Sequence, residues 1–188
     1  MSSRPFDIVV IGGSAGSLSV IITVVNSMPK NFCVPVVLVV HRMRNVRSEM
    51  NNILSVNKPI IEPEDKEQIK ECCMYLAPQN YHLLVEEDYS FSLDYSEAVN
   101  FSRPSIDVTF SNVADVYGEK ALGILLSGAN KDGARGLCDI IDAGGKGIVQ
   151  NPDTAEYSAM PSAGIEYNKR VMIMKPEEIA AYINSIII

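Results

Sequence analysis

The sequence predicts an α/β fold: a doubly wound, mostly parallel sheet in a Rossmann-like three-layer sandwich, with a small antiparallel hairpin. Three observations predict it. Apolar runs over 6–11, 34–40, 121–126 and 146–150 lack the in–out alternation of a half-exposed strand, so they read as strands buried on both faces. Each run ends in a turn or loop of small or polar residues. A segment with apolar residues at helical spacing then follows, and the repeated strand–turn–helix unit is that of a parallel sheet. At 188 residues the chain is expected to be a single domain spanning 1–188, long enough for a substantial core.

Strand 6–11 breaks at Gly12-Gly13-Ser14-Ala15-Gly16-Ser17, and a helix follows through Leu18, Ile21, Ile22 and Val25. This turn admits three readings. A dinucleotide fingerprint, G-x-G-x-x-G, keeps only Gly12, because Ser14 and Ser17 stand where glycine must admit a pyrophosphate. A nucleophile turn, G-x-S-x-G, is matched in full and would expose the Ser14 hydroxyl beside the free N–H groups of a helix start. An ordinary helix N-cap needs only the serine. The second strand, 34–40, ends at His41, followed by Arg42 and Arg44 where a dinucleotide site would carry an acidic residue. If the first two strands are neighbours, Ser14 and His41 share one edge of the sheet, about 4.8 Å being the usual strand spacing. His41 also admits a capping or core role.

Residues 45–57 are spaced for a helix through Val46, Met50, Ile53 and Leu54, and 62–71 form a charged surface segment. Residues 74–77 make a short strand ended by Pro78. Residues 81–85 and 91–95 make the hairpin around Glu86-Glu87-Asp88, with His82 at its start. A helix opens at Arg103-Pro104-Ser105-Ile106-Asp107-Val108, where Pro104 suits the first turn. Strand 121–126 ends in Ser127-Gly128-Ala129-Asn130-Lys131-Asp132-Gly133, which puts Asp132 near the start of a helix through Leu137 and Ile141. An N-cap is the plain reading of Asp132. Strand 146–150, the turn Asn151-Pro152-Asp153, a helix after 158–163, a short strand 171–174 and a helix from Pro176 complete the chain.

Apolar residues make up 47% and charged residues 21%, a globular balance, and the net charge of −7 argues against a nucleic-acid partner. Cys33, Cys72, Cys73 and Cys138 form no C-x-x-C pair and read as reduced core thiols of a cytoplasmic protein. Neither a signal peptide nor an apolar run of membrane-spanning length is visible, so no membrane insertion is expected. The chain has only two histidines, which narrows any imidazole catalysis to His41 and His82.

Ser14, His41 and Asp132 therefore end three different strands. Together they are the parts of an activated serine: nucleophile, base, and the carboxylate that orients the base. Their order, Ser…His…Asp, differs from that of the α/β-hydrolases, so the G-x-S-x-G match does not imply that fold.

Six blocks in this order carry a wider resemblance: Ile11-Gly12-Gly13-Ser14-Ala15-Gly16, Val40-His41-Arg42-Met43, Leu76-Ala77-Pro78 with His82, Arg103-Pro104-Ser105-Ile106-Asp107-Val108, Leu126-Ser127-Gly128-Ala129-Asn130-Lys131-Asp132-Gly133-Ala134, and Gln150-Asn151-Pro152 with Met160-Pro161. Over residues 6–183 the chain resembles the catalytic domain of the chemotaxis protein-glutamate methylesterases, the CheB family. The resemblance implies a doubly wound domain that hydrolyses γ-glutamyl methyl esters on chemoreceptor helices, releasing methanol, and that in many members also deamidates glutamines. It places nucleophile, base and orienting acid on Ser14, His41 and Asp132, and it implies neither metal nor cofactor. Ala15 and Ala129 fall at the family's oxyanion positions: Ala15 replaces a threonine, so a hydroxyl contribution is absent there, and Ala129 replaces a methionine whose backbone N–H would survive the change. His82 matches a frequent family histidine, and Arg103, with Arg42, Arg44 and Arg47, offers positive charge for a carboxylate-bearing substrate. The expected partner is a methylated chemoreceptor-type helical protein. The family's usual N-terminal receiver domain has no counterpart ahead of the first strand. An alternative expectation is a catalytically impaired module of the same fold that docks on a receptor or kinase.

Overall fold

The computed structural model describes residues 4–42, 54 and 59–186. Seven strands form one parallel sheet: β1 (Ile8–Gly13), β2 (Val36–Val40), β3 (Ile60–Ile61), β4 (Met74–Leu76), β7 (Ala121–Leu125), β8 (Lys146–Gln150) and β9 (Met172–Met174). Their order is β3-β4-β2-β1-β7-β8-β9. The hairpin is a separate antiparallel pair, β5 (His82–Val85) and β6 (Phe91–Asp94). The α-helices with described bounds are α1 (Leu18–Ser27), α2 (Ile106–Tyr117), α3 (Ala134–Asp142), α4 (Ala159–Tyr167) and α5 (Pro176–Ser185), with short 3₁₀ turns at Gly118–Lys120 and Pro152–Thr154.

Strand alternation divides the core into two layers. Val9 and Ile11 of β1, with Val36, Leu38 and Val40 of β2, face α1 and α5. Ile8 and Val10, with Val37 and Val39, face Phe110 of α2, Leu137 of α3, Met160 of α4 and Phe91 of the hairpin. All residues of β1 and β2 are buried, as apolar runs without alternation require.

The chain leaves β1 towards β2 on one side and later returns to β7 on the other. This reversal of strand order opens a crevice beyond the carboxyl ends of β1, β2 and β7, where ligand sites of open α/β sheets form.

The structure differs from the sequence reading in several places. Leu54 is helical and buried, but the remainder of the 45–57 helix lies outside the described residues. The α2 helix begins at Ile106, and Pro104 precedes its N-cap Ser105 rather than occupying the first turn. The edge strand β3 is too short for its apolar pattern to be seen in sequence. Cys33 and Cys72 are joined in a disulfide, which corrects the expectation of reduced thiols for that pair; Cys73 and Cys138 are free. The physical reason is strand pairing: β2 and β4 are parallel, and the residues preceding them lie side by side, with Cys72 N–H donating to Cys33 O at 3.0 Å. Among the described residues no helix is long and apolar enough to cross a membrane.

Candidate active site

Three loops meet at the crevice. Gly13 and Val40 are paired in register, and His41 N–H donates to Gly13 O at 3.1 Å, so Ser14 and His41 each begin one residue beyond the last paired positions of adjacent strands. Ser14 is half-buried. Its N–H donates to Ser127 O at 2.9 Å, and its carbonyl accepts from Ser17 N–H and from the Ser17 hydroxyl at 2.7 Å. The N-cap of α1 is Ser17, not Ser14. The Ser14 hydroxyl therefore has no capping duty, and it makes no hydrogen bond among the described residues.

His41 and Asp132 are in direct contact: Nε2 lies 2.7 Å from Oδ2, with the ring 11% exposed and the carboxylate fully buried. A carboxylate on Nε2 fixes the proton there in the neutral ring and leaves Nδ1 as an acceptor. The Ser102 hydroxyl stands 3.4 Å from that nitrogen. The structure thus brings His41 and Asp132 together and sets Ser14 at the adjacent strand end without a bond to the ring.

Asp132 does not cap its own helix; Gly133, at φ 94°, is the N-cap of α3. Its carboxylate turns instead to the start of α2, accepting from Ile106 N–H at 2.7 Å, Asp107 N–H at 3.1 Å, the Ser105 hydroxyl at 2.8 Å and Asn100 Nδ2 at 2.9 Å. Asp107 returns the exchange: its carboxylate accepts from Gly133 N–H at 2.9 Å and Gly136 N–H at 2.8 Å at the start of α3, and from Asn100 Nδ2 at 2.9 Å. The N-termini of α2 and α3 are therefore capped by each other's acids, which satisfies donors that a helix start leaves free. Close approach is possible because Gly133 and Gly12 carry no side chain; a Cβ on Gly133 would lie 2.6 Å from Ile106 Cγ2, and one on Gly12 would overlap the same group.

Burial drives the Asp132 carboxyl up. The hydrogen bonds from His41, Asn100, Ile106 and Ser105 outweigh it and hold the pKa below the usual aspartate value. Burial dominates at Asp107 instead and raises its pKa, with the Asp132 charge adding to the effect against the Gly136 and Asn100 bonds.

Ala15 and Ala129 are exposed on the two loops that flank Ser14, and neither backbone N–H has an acceptor among the described residues. The loops are tied together by Ser127, whose hydroxyl donates to Ala15 O at 2.8 Å and accepts from Tyr157 N–H at 3.0 Å. Two free N–H groups beside a free hydroxyl form a place where an oxyanion could be held.

The remaining expected site residues have other duties. His82 is fully buried. Its Nδ1 accepts from Ser105 N–H at 3.1 Å and its Nε2 lies 2.9 Å from Glu97 O, so it braces the loop before α2. Arg103 donates to Tyr95 O at 3.2 Å and Ser96 O at 2.5 Å and stacks 4.0 Å above the Tyr95 ring, so its guanidinium is positioned by its own loop. Arg42 is held by Glu62 at 2.7 Å and Ala77 O at 2.5 Å, while Arg44 and Arg47 lie outside the described residues. Asn100, Ser105 and Asp107 were not foreseen as parts of the site. The sequence signal for two of them was the block Arg103–Val108 itself, whose polar residues had no other assignment. Among the described residues no group of three or more His, Cys, Asp or Glu side chains could hold a metal ion.

Residues 9–183 match the family described as CheB methylesterase. A Leptospira interrogans protein is 44% identical over 177 residues, 93% of this chain and 92% of the relative; it is named, in provisional form, a protein-glutamate methylesterase/protein-glutamine glutaminase. Protein-glutamate methylesterase/protein-glutamine glutaminase 1 of Syntrophus aciditrophicus is 32% identical over 180 residues, covering 95% of this chain but 51% of that longer protein. Among solved structures, the Thermotoga maritima CheB methylesterase catalytic domain is similar with a TM-score of 0.88 and 28% identity, over 97% of this chain and 99% of that one.

Proposed function

Because the chain belongs to the CheB methylesterase family, we propose that it hydrolyses γ-glutamyl methyl esters on a chemoreceptor-type helical protein, with Ser14 as nucleophile, His41 as base and Asp132 as the acid that orients the base. Glutamine side chains present the same acyl carbon with an amine leaving group, so deamidation belongs to the same site.

The observation that carries this reading is the buried 2.7 Å His41–Asp132 pair at the strand end beside an unengaged Ser14 hydroxyl. The Ser14 hydroxyl attacks the ester carbonyl carbon and gives its proton to His41 Nδ1. Asp132 stabilises the imidazolium that forms. The developing oxyanion is held by the Ala15 and Ala129 N–H groups, backbone donors that survive the loss of larger side chains at both positions. The imidazolium then protonates the departing methoxide, and methanol leaves. Water, deprotonated by the same Nδ1, attacks the acyl-serine and releases the glutamate carboxylate and free Ser14.

The test is to incubate the purified chain with a methyl-esterified helical receptor fragment and to quantify methanol against newly formed carboxylate. One methanol per carboxylate is expected. No methanol above the uncatalysed rate would overturn the reading and favour the docking module.

A further inference from the structure

The turn beside the site is held in a conformation that suits one of its two residues poorly. Val99 N–H donates to Ser102 O at 3.1 Å and Ser102 N–H to Val99 O at 2.9 Å, so Asn100 and Phe101 form a two-residue loop. Both have positive φ, 51° and 61°. This is the pattern of a type I′ turn, for which Asn-Gly is a favoured pair. Asparagine tolerates the left-handed region, but a phenylalanine there crowds its Cβ against its own backbone.

Burial does not offset the strain, because Phe101 is 100% exposed. Tyr89 makes the contrast. It too is left-handed, at φ 61°, but its ring rests on Tyr117 with centroids 5.3 Å apart. Phe101 has no ring partner among the described residues. A bulky side chain kept in strain and in water points to a role outside the fold.

Its neighbours locate that role. Asn100 bonds the Asp132 carboxylate, and the Ser102 hydroxyl stands 3.4 Å from His41 Nδ1. Phe101 lies between them in the chain, one residue step of about 3.8 Å from each. Tyr95 and Val99 of the same loop are also exposed, at 66% and 39%. The net charge of −7 gives no overall attraction for a carboxylate-rich partner, and Arg42 is already paired with Glu62. Arg103, bonded only to backbone carbonyls, and exposed Lys131 keep their charge near the site, and an exposed ring there adds apolar contact to what those cations contribute.

We propose that Phe101 is the docking anchor for the protein substrate: it seats among apolar side chains of the helix that presents the esterified glutamate, about one helical turn (roughly 5.4 Å) from that residue. The identity of the partner rests on the esterase reading; the anchoring role rests on the turn.

The experiment compares wild type, Phe101→Gly and Phe101→Leu on two substrates: a methylated helical receptor fragment and a small N-acetyl glutamate γ-methyl ester. Phe101→Gly supplies the residue the turn prefers, so its Tm should be unchanged or higher by up to about 4 °C. Its kcat/KM on the helical fragment should fall at least about tenfold through KM, with the small-ester rate within about twofold of wild type, while Phe101→Leu keeps most of the wild-type rate, as an apolar anchor would. Equal loss on both substrates would overturn the proposal in favour of a role in positioning Asp132 through Asn100. Unchanged rates on both would overturn it outright, including the case where Phe101→Gly only dissociates a homodimer. If wild type releases methanol from neither substrate, the esterase reading fails, and binding of the helical fragment decides the anchor alone: at least about tenfold weaker binding to Phe101→Gly supports it, and equal affinity overturns it.

Discussion

Asp132 serves the fold directly and, in the proposed mechanism, the chemistry as well. Its carboxylate accepts from His41, Asn100, Ser105, Ile106 and Asp107. Asp132→Asn keeps the shape but turns an amide N–H towards donors, so some of these bonds must break. It is expected to lower kcat by about 10³–10⁴-fold, the scale seen when an orienting acid becomes an amide, and to cost about 1–3 kcal/mol of stability. The pH dependence has a definite sign. A carboxyl held below its unfolded pKa of about 3.9 stabilises the fold above that pH and loses the contribution as pH falls through the lower folded value. The Tm gap between wild type and Asp132→Asn should therefore shrink from pH 6 to pH 3; a constant gap would contradict the account. Asp107, with its raised pKa, works in the opposite direction in the wild-type curve, and because the Asp132 charge is, after burial, one cause of that rise, the gap between the two proteins reads Asp132 together with its coupling to Asp107. At this scale the sequence marked Ser14, His41 and Asp132 because each stands beyond an apolar strand. It gave no sign that His82 would be buried or that Arg103 would fold back on Tyr95, because spacing does not report tertiary packing.

At the scale of elements, the site depends on two helix starts closing on each other over the end of β1. Gly133 combines crowding with a left-handed backbone: its φ is 94° and a Cβ there would meet Ile106 Cγ2 and Leu125 Cδ1, each at 2.6 Å. Gly133→Ala combines left-handed strain with overpacking and is expected to destabilise by about 2–4 kcal/mol. Because the displaced residues carry Ser105–Asp107, the variant should also lose activity at temperatures where it is still folded. Thermal melts and methanol release at 15 °C check both; wild-type Tm with wild-type rate would contradict the packing argument. The buried strands were legible because apolar runs bounded by small residues have few other uses in a chain of this length. The Asn100–Phe101 turn was not, because the dipeptide lacks the glycine that advertises a left-handed loop. Nor was the reciprocal capping by Asp107 and Asp132, a product of tertiary packing between helices that lie apart in sequence.

For the whole molecule, strand order is what converts three separated polar residues into a neighbourhood. With β2 and β7 on either side of β1, the carboxyl ends of all three face one crevice. The two-layer core packs against both faces of the strands that form that crevice. The central claim is that Ser14 reacts because His41 and Asp132 stand beside it. Methanol release from the esterified helical fragment by Ser14→Ala, measured against wild type at matched folded concentration, tests it most directly. The account predicts loss of at least about 10³-fold with an unchanged Tm, the scale of removing one member of a triad. Release within about tenfold of wild type would contradict it.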